Sequence, residues 1–313
     1  MFKISDPLIP QGVHQGVLKK IASDGSLSAY FNQNNIMLSA THVHVGPGGY
    51  DHNVMLNMSA LGYDSKNYNV IVDGIYQSIK RAFDSRTAGT IKIAQGDLWG
   101  ANINRNTQAY GLNPDAWDYA SDVNETMTVL KLEKSNGQAI GMVNWFGVHN
   151  VSSNQTQRLI TGDNKGVAAQ LFEKSQGVNL PLTTGFVAAF ANSEEGDVSP
   201  NVCGPENGCA GNNEANTVLS AQKQFDKAMD LYNNANELLS GTLAHRFQYV
   251  KLPGYSVADQ YTGAGNQGLC EGAIGFSMTA GATHDGPSGQ SGVFEGMTQQ
   301  NEGSTWDRGT VLG

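Results

Sequence analysis

The sequence predicts an α/β fold, a mixed β-sheet core flanked by helices. Three observations point there. Short apolar runs of strand length recur along the 313 residues, at Thr90–Gln95, Met127–Leu132, Ile140–His149 and Thr184–Ala191. Stretches with three- and four-residue apolar spacing stand between or after them, at Tyr68–Phe83, Asp163–Phe172 and Ala215–Leu239. The strand runs also end in polar or histidine-bearing residues, as in α/β domains whose ligands bind beyond the strand ends.

Composition narrows the class. Hydrophobic residues make up 39% and charged residues 15%, with 38 glycines, which favours a loop-rich globular chain over a coiled coil or a disordered one. The net charge of -9 and the lack of any basic run argue against a nucleic-acid partner. No apolar run approaches the ~18 residues of a membrane span. The opening MFKISDPLIPQGVHQGVLKK does not read as a signal peptide, since it carries Asp6, two prolines and no sustained apolar core.

The elements follow in order. Gln11–Leu18 begins a helix with His14, Val17 and Leu18 on one side, His14 being a packing residue. Ser23–Gln33 is a polar connector. Ile36-Met37-Leu38 leads a strand into His42 and His44, and Gly46-Pro47-Gly48-Gly49 turns it sharply. Asn53–Gly62 lies near a pocket rim. Tyr68–Phe83 is a helix, ended by Gly89; Thr90–Gln95 alternates as a strand; Asn102–Asn106 is a loop that sets Arg105 among amides. Asn136-Gly137 is a hairpin signal between Met127–Leu132 and the buried-type strand Ile140–His149. Asp163 is placed to cap a helix whose Val167, Leu171 and Phe172 face inward. Thr184–Ala191 is an apolar strand that runs into the loop NSEEGDVSPN, Ala215–Leu239 a long helix, and Thr242–Val250 and Phe276–Met278 further strands.

The chemistry concentrates at a few places. If the strand before Gly46 continues through Val43, His42 and His44 share one face, and two imidazoles then enter one pocket as a metal ligand and a neighbour that tunes it. His149 closes another apolar strand, so two strand ends each deliver an imidazole and place the metal site there. Ser199 sits between Gly196 and Pro200 in a loop able to hold one hydroxyl in place. The Arg105 guanidinium is a rigid fork for a carbonyl oxygen or an anion. Each has an ordinary alternative: incidental histidines at a strand end, a core histidine bonded to backbone, a turn serine, a surface arginine. His245 and His284 read as structural, and Glu194 and Glu195 as a solvated loop face. Cys203 and Cys209 bracket Gly204–Gly208 and can close a local disulfide, leaving Cys270 over; C-x5-C is no zinc spacing. N-x-S/T triplets occur at Asn57, Asn124, Asn150 and Asn154.

NNIMLSATHVHVGPGGY, NYNVIVDGIYQSI, NINRN, MTVLKLEKSNGQAIGMVNWFGVH, GDNKGVAAQLFE and GFVAAFANSEEGDVSPN, taken together and in this order, resemble the neutral/alkaline ceramidase family over Asn34–Asn201. The helix at Ala215–Leu239 and GFSMTAGATHDGPSG at Gly275–Gly289 extend the likeness. The resemblance implies one catalytic zinc that activates water for attack on the amide carbonyl of ceramide (N-acylsphingosine) at a membrane or micelle surface, giving sphingosine and a fatty acid. It implies His42 and His149 as zinc ligands and His44 as a pocket histidine for hydrogen bonding or proton transfer. Arg105 would hold the substrate or its oxyanion, and Ser199 would act as nucleophile or orient the substrate. The family's further ligands, a glutamate and a tyrosine, and its terminal β-sandwich fall beyond residue 313, so residues 1–313 read as one partial catalytic domain. Val45 and Asn150 stand where many members have serine and proline. Family members are mostly secreted or face the cell exterior. The alternatives are an amidase for another acyl amide and a lipid-binding or structural module.

Overall fold

A computed structural model describes residues 8–57, 60–153, 159–179, 185–204, 209–271, 280–282, 286–287, 292–295 and 297. The chain begins with helix α1 (Gln11–Ser23), the short α2 (Val54–Asn57) and α3 (Ser65–Asp84), followed by strand β1 (Gly89–Asp97), β2 (Ile103–Asn104) and α4 (Thr107–Tyr110). Next come β3 (Thr126–Lys134), β4 (Ala139–Trp145), α5 (Asp163–Ser175), β5 (Val187–Ala191), β6 (Val198–Ser199), α6 (Asn213–Asn234) and β7 (Glu237–Leu238).

Five strands form one sheet in the order β5-β4-β3-β1-β7. β4 and β5 run parallel, joined through α5, and the other neighbours are antiparallel, so the sheet is mixed as expected. Asn136-Gly137 makes the β3–β4 hairpin, with Gly137 in the left-handed region at φ 83°. α5 and α6 pack on each other and against one sheet face, α5 on β5 and α6 on β1 and β3. Alternation supplies that face with Met127, Val129, Met142, Ala188 and Phe190, all buried, while Val187 and Ala189, on the opposite face of β5, are exposed. Phe172 of α5 is the centre of this core, its ring against Phe186, Phe190, Phe225 and Tyr232. Gly96 lets α6 approach β1, for a Cβ there would lie 3.2 Å from a Leu231 methyl.

A second core lies between α1 and α3. Val13, Val17 and Ile21 recur every four residues and face Val72, with Ile71, Ile75, Ile79 and Phe83 packed alongside. Asp64 caps α3 by accepting the Lys66 and Asn67 amides, and Asn212 caps α6 by accepting the Ala215 amide.

Several expectations change. Residues 36–44 are not a strand: Met37 is exposed, His42 takes φ 62°, and the β-pairing of the segment among the described residues is one parallel bridge, Val43 to Asn150. A residue in the left-handed region ends any ladder, so His42 and His44 are brought together by a loop. β4 stops at Trp145, and His149 lies four residues beyond it. The long helix ends at Asn234, where the chain turns to pair Glu237–Leu238 with β1. Thr242–Val250 forms no strand and is exposed throughout. Asp163 is not the cap residue: it sits at φ 49° inside the first turn, after Gly162. Thr184, Phe276–Met278, His284 and Asn154 lie outside the described residues. Cys203 and Cys209 are disulfide-bonded, and Cys270 is free and exposed. Asn57 and Asn150 are buried, which removes both from the surface that glycosylation needs. Among the described residues no helix is long and apolar enough to cross a membrane.

Truncating Phe172 to alanine removes the ring that four aromatic neighbours share. The expected loss is about 3–5 kcal/mol of unfolding free energy, read from a urea titration of the variant beside the parent chain.

Candidate metal centre

Two segments far apart in sequence deliver the histidines. The first, residues 41–44, has no sheet to hold it. The Thr41 carbonyl accepts the side-chain amides of Asn150 at 3.2 Å and Asn192 at 3.0 Å, and the His44 amide reaches the Asn150 carbonyl at 3.4 Å. These bonds fix the residues on both sides of His42 and so sustain its left-handed backbone, a conformation that histidine visits more readily than most residues.

The second segment, residues 146–150, leaves β4 and passes beside the 191–198 loop. Gly147 permits this, because a Cβ would fall 2.2 Å from the Glu194 carbonyl oxygen. The His149 amide donates to the Val198 carbonyl at 3.0 Å, and its own carbonyl accepts from the Asn164 side chain at 3.0 Å. The first turn of α5 therefore supports the segment from beneath. Asp163, Asn164 and Lys165 are all buried there. The Asp163 carboxylate accepts the amides of Ser152, Ser153 and Asn164, and Lys165 Nζ donates to the Phe146 carbonyl at 2.9 Å and to Gln224 at 3.2 Å. Gln224 from α6 returns a bond to Asn164 at 3.0 Å. Burial pushes the Lys165 amine down to about 7.

The three imidazoles meet. Ring centroids lie 4.4 Å apart for His42–His149, 4.8 Å for His42–His44 and 5.5 Å for His44–His149. One nitrogen from each falls within 4.8 Å of the others. His149 Nδ1 lies 2.7 Å from the Glu195 carbonyl oxygen. A carbonyl can only accept, so Nδ1 carries the proton and Nε2 is left with its lone pair. His44 Nε2 is buried with no hydrogen-bond partner among the described residues. Burial pushes His149 down to about 2 and His44 to about 4, with Arg105 and the neighbouring rings adding to the effect. Near pH 7 these two rings are neutral, the form that binds a metal. A cluster of imidazole donors, one of them already oriented through its other nitrogen, fits zinc as well as other borderline divalent ions.

The other expected residues surround this cluster. Arg105 lies at the end of β2, its amide bonded to the Asp197 carbonyl at 2.7 Å and Nη2 to the Gly196 carbonyl at 2.8 Å. It is close enough to depress both His44 and His149. Ser199 is fully buried in β6, opposite Ile103 of β2, and its hydroxyl oxygen accepts the Asn201 amide at 3.0 Å. Asp197 accepts from the Asn104 side chain at 2.9 Å, so it serves the loop. The His14 ring meets the Ile36 carbonyl, and His245 is exposed.

Glu195 corrects the sequence reading. Glu194 is exposed and bonded to Asn124, as a loop-face residue should be. Glu195 turns inward. Its carboxylate lies 3.6 Å from His42 Nδ1, with only 17% of the side chain exposed. Burial pushes it up to about 7, against the opposing pull of Lys165 and Arg105. Two consecutive glutamates in a polar, glycine-containing loop carry no signal that says which one turns in. The close passage at Gly147 decides it.

These shifts set a pH dependence for the metal-free chain. Unfolded histidine takes a proton near 6.5, whereas folded His44 resists to about 4 and His149 to about 2. The unfolded chain therefore binds two protons that the folded chain refuses, and stability falls as pH drops below 6.5. Glu195 acts in the opposite sense between 7 and 4.5, with one proton. Burial raises the Asp163 carboxyl too and it acts in the same sense as Glu195, so the expectation is a difference: from pH 6.5 to 4.5 unfolding free energy changes less favourably in the parent than in His149→Gln. Chemical denaturation across that range checks it, and equal slopes in the two proteins would contradict it.

A family model described as neutral/alkaline non-lysosomal ceramidase, N-terminal, matches residues 3–311. The neutral ceramidase of Pseudomonas aeruginosa is 38% identical over 290 residues, covering 92% of this chain and 42% of that protein. Neutral ceramidase B of Dictyostelium discoideum is 38% identical over 305 residues, covering 88% and 42%. A solved structure described as ceramidase complexed with C2 superimposes with a TM-score of 0.82 at 35% identity, over 95% of this chain and 44% of that one. The chain thus spans less than half the length of these relatives. It belongs to the neutral/alkaline ceramidase family.

Proposed function

We propose that this chain carries the histidine part of a zinc-dependent amide hydrolase that cleaves N-acylsphingosine to sphingosine and a fatty acid. The observation that supports it most is the convergence of His42, His44 and His149 in a chain of this family. His42 and His149 would hold the zinc. When bound, zinc supplies Lewis-acid activation of water for attack on the amide carbonyl.

The remaining roles follow from what each side chain can do. His44 is neutral and buried, with Nε2 unengaged among the described residues, so it can accept a proton from an attacking water or hand one to the leaving amine. The Arg105 guanidinium is held by the Gly196 carbonyl and offers positive charge where the carbonyl oxygen becomes negative. The Ser199 oxygen accepts from the Asn201 amide, which restricts the direction of its own O–H and suits it to orienting the substrate. The relatives' greater length favours a second reading in which residues 1–313 bind lipid or metal and turn over substrate only when the rest of the catalytic domain is present.

Metal analysis of the purified chain and of His42→Ala tests the centre, and hydrolysis of N-acylsphingosine beside a water-soluble acyl amide tests the substrate. The expected result is zinc in the parent, at least tenfold less in the variant, and preference for the sphingolipid. Unchanged zinc in the variant would remove the centre as drawn. Preference for the soluble amide would overturn the substrate assignment.

A further inference from the structure

Glu195 addresses both His42 and His149. Its backbone carbonyl accepts His149 Nδ1–H at 2.7 Å, and its carboxylate Oε1 lies 3.6 Å from His42 Nδ1. Both interactions act on the Nδ1 side, which leaves Nε2 of each ring on the side away from Glu195, in rings whose centroids are 4.4 Å apart. The second carboxylate oxygen, Oε2, is buried and has no hydrogen-bond partner among the described residues. A loop carboxylate with ordinary solubilising duties would point to water, as Glu194 does one position earlier. This one is carried inward by the turn that ends at Val198, whose amide donates to the same Glu195 carbonyl at 2.9 Å. The loop is further clamped from β2 through the bonds of Arg105 to Asp197 and Gly196.

We propose that Glu195 is the positioning residue of the metal centre: its carboxylate orients His42 in the Nδ1–H form as its carbonyl orients His149, so that both present a bare Nε2 to one ion. The inference rests on the zinc reading of His42 and His149. Partners of this kind fix the tautomer and ring orientation of a ligating histidine and raise its basicity, and their loss weakens metal binding without removing a ligand. Glu195 works through His42 and need not touch the substrate.

The test joins zinc affinity, measured by competition with a chromophoric chelator, to the ring nitrogen-15 spectrum of the metal-free protein. In Glu195→Ala the zinc dissociation constant should rise about 10- to 100-fold. His42 should lose its pure Nδ1–H signature, while His149 keeps its own, because alanine retains the carbonyl. Glu195→Gln keeps an acceptor oxygen in nearly the same shape. It should preserve the His42 tautomer and lose less affinity, which also guards against a variant that merely misfolds. Parental affinity and an unchanged His42 signature in Glu195→Ala would overturn the proposal. So would an unchanged signature with a loss as large as in His42→Ala, since the carboxylate would then be a ligand. If His42→Ala binds zinc as tightly as the parent, the zinc reading itself fails, and this inference with it.

Discussion

The candidate centre depends on the bonds of one buried side chain, Asn150. Its amide nitrogen donates to the carbonyls of Thr41 and Gly162, its amide oxygen accepts the Lys165 amide, and its backbone carbonyl accepts the His44 amide. Three parts of the chain thus meet at one residue: the loop bearing His42 and His44, the segment bearing His149, and the first turn of α5. A sheet would have joined the first two by a ladder. Here a single bridge and a few side-chain amides do it. Such an arrangement is sensitive to each of its members, because a buried amide left without partners costs about 1–3 kcal/mol.

Beneath Asn150 lies a layer that would be unfavourable if it were incomplete. Asp163, Asn164, Lys165 and Gln224 are buried polar groups. Their hydrogen bonds run to the 146–153 segment or to each other, which offsets the desolvation that burial imposes. The consequence is rigidity where it matters. The chain between β4 and α5 is irregular, yet the carbonyls of Phe146 and His149 and the amides of His149, Ser152 and Ser153 are each assigned to a partner. An irregular loop held this way can place a ring as accurately as a strand does.

What was legible in the sequence follows from this. Apolar periodicity located α3, α5, β1 and β3, and Asn136-Gly137 marked the hairpin, because those elements are set by local spacing and by burial of one face. The same apolar pattern extends strands through the histidines, whereas residues 36–44 form none and β4 stops at Trp145, four residues before His149. Ile36-Met37-Leu38 is apolar because Ile36 and Leu38 pack on the α1–α3 core, while Thr41 just beyond them is held by Asn150 and Asn192, more than a hundred positions away. His42, His44 and His149 are legible as a set from apolar runs that end in histidine, and the family blocks add the role of each. Glu195 was misread as solvated, since nothing local distinguishes it from Glu194. Thr242–Val250 shows the converse error: the alternation is present, but it finds no strand to pair with among the described residues.

The chemistry expected of the centre comes from dryness and shared charge. Burial, and the positive field of Arg105, keep His44 and His149 unprotonated near neutral pH, so their lone pairs remain available to a cation. The central claim is that a divalent ion belongs between His42 and His149. Zinc-edge anomalous diffraction from zinc-soaked crystals tests it most directly. The account predicts one strong peak within bonding distance of Nε2 of both His42 and His149. A peak elsewhere, or none beside these rings, would contradict it.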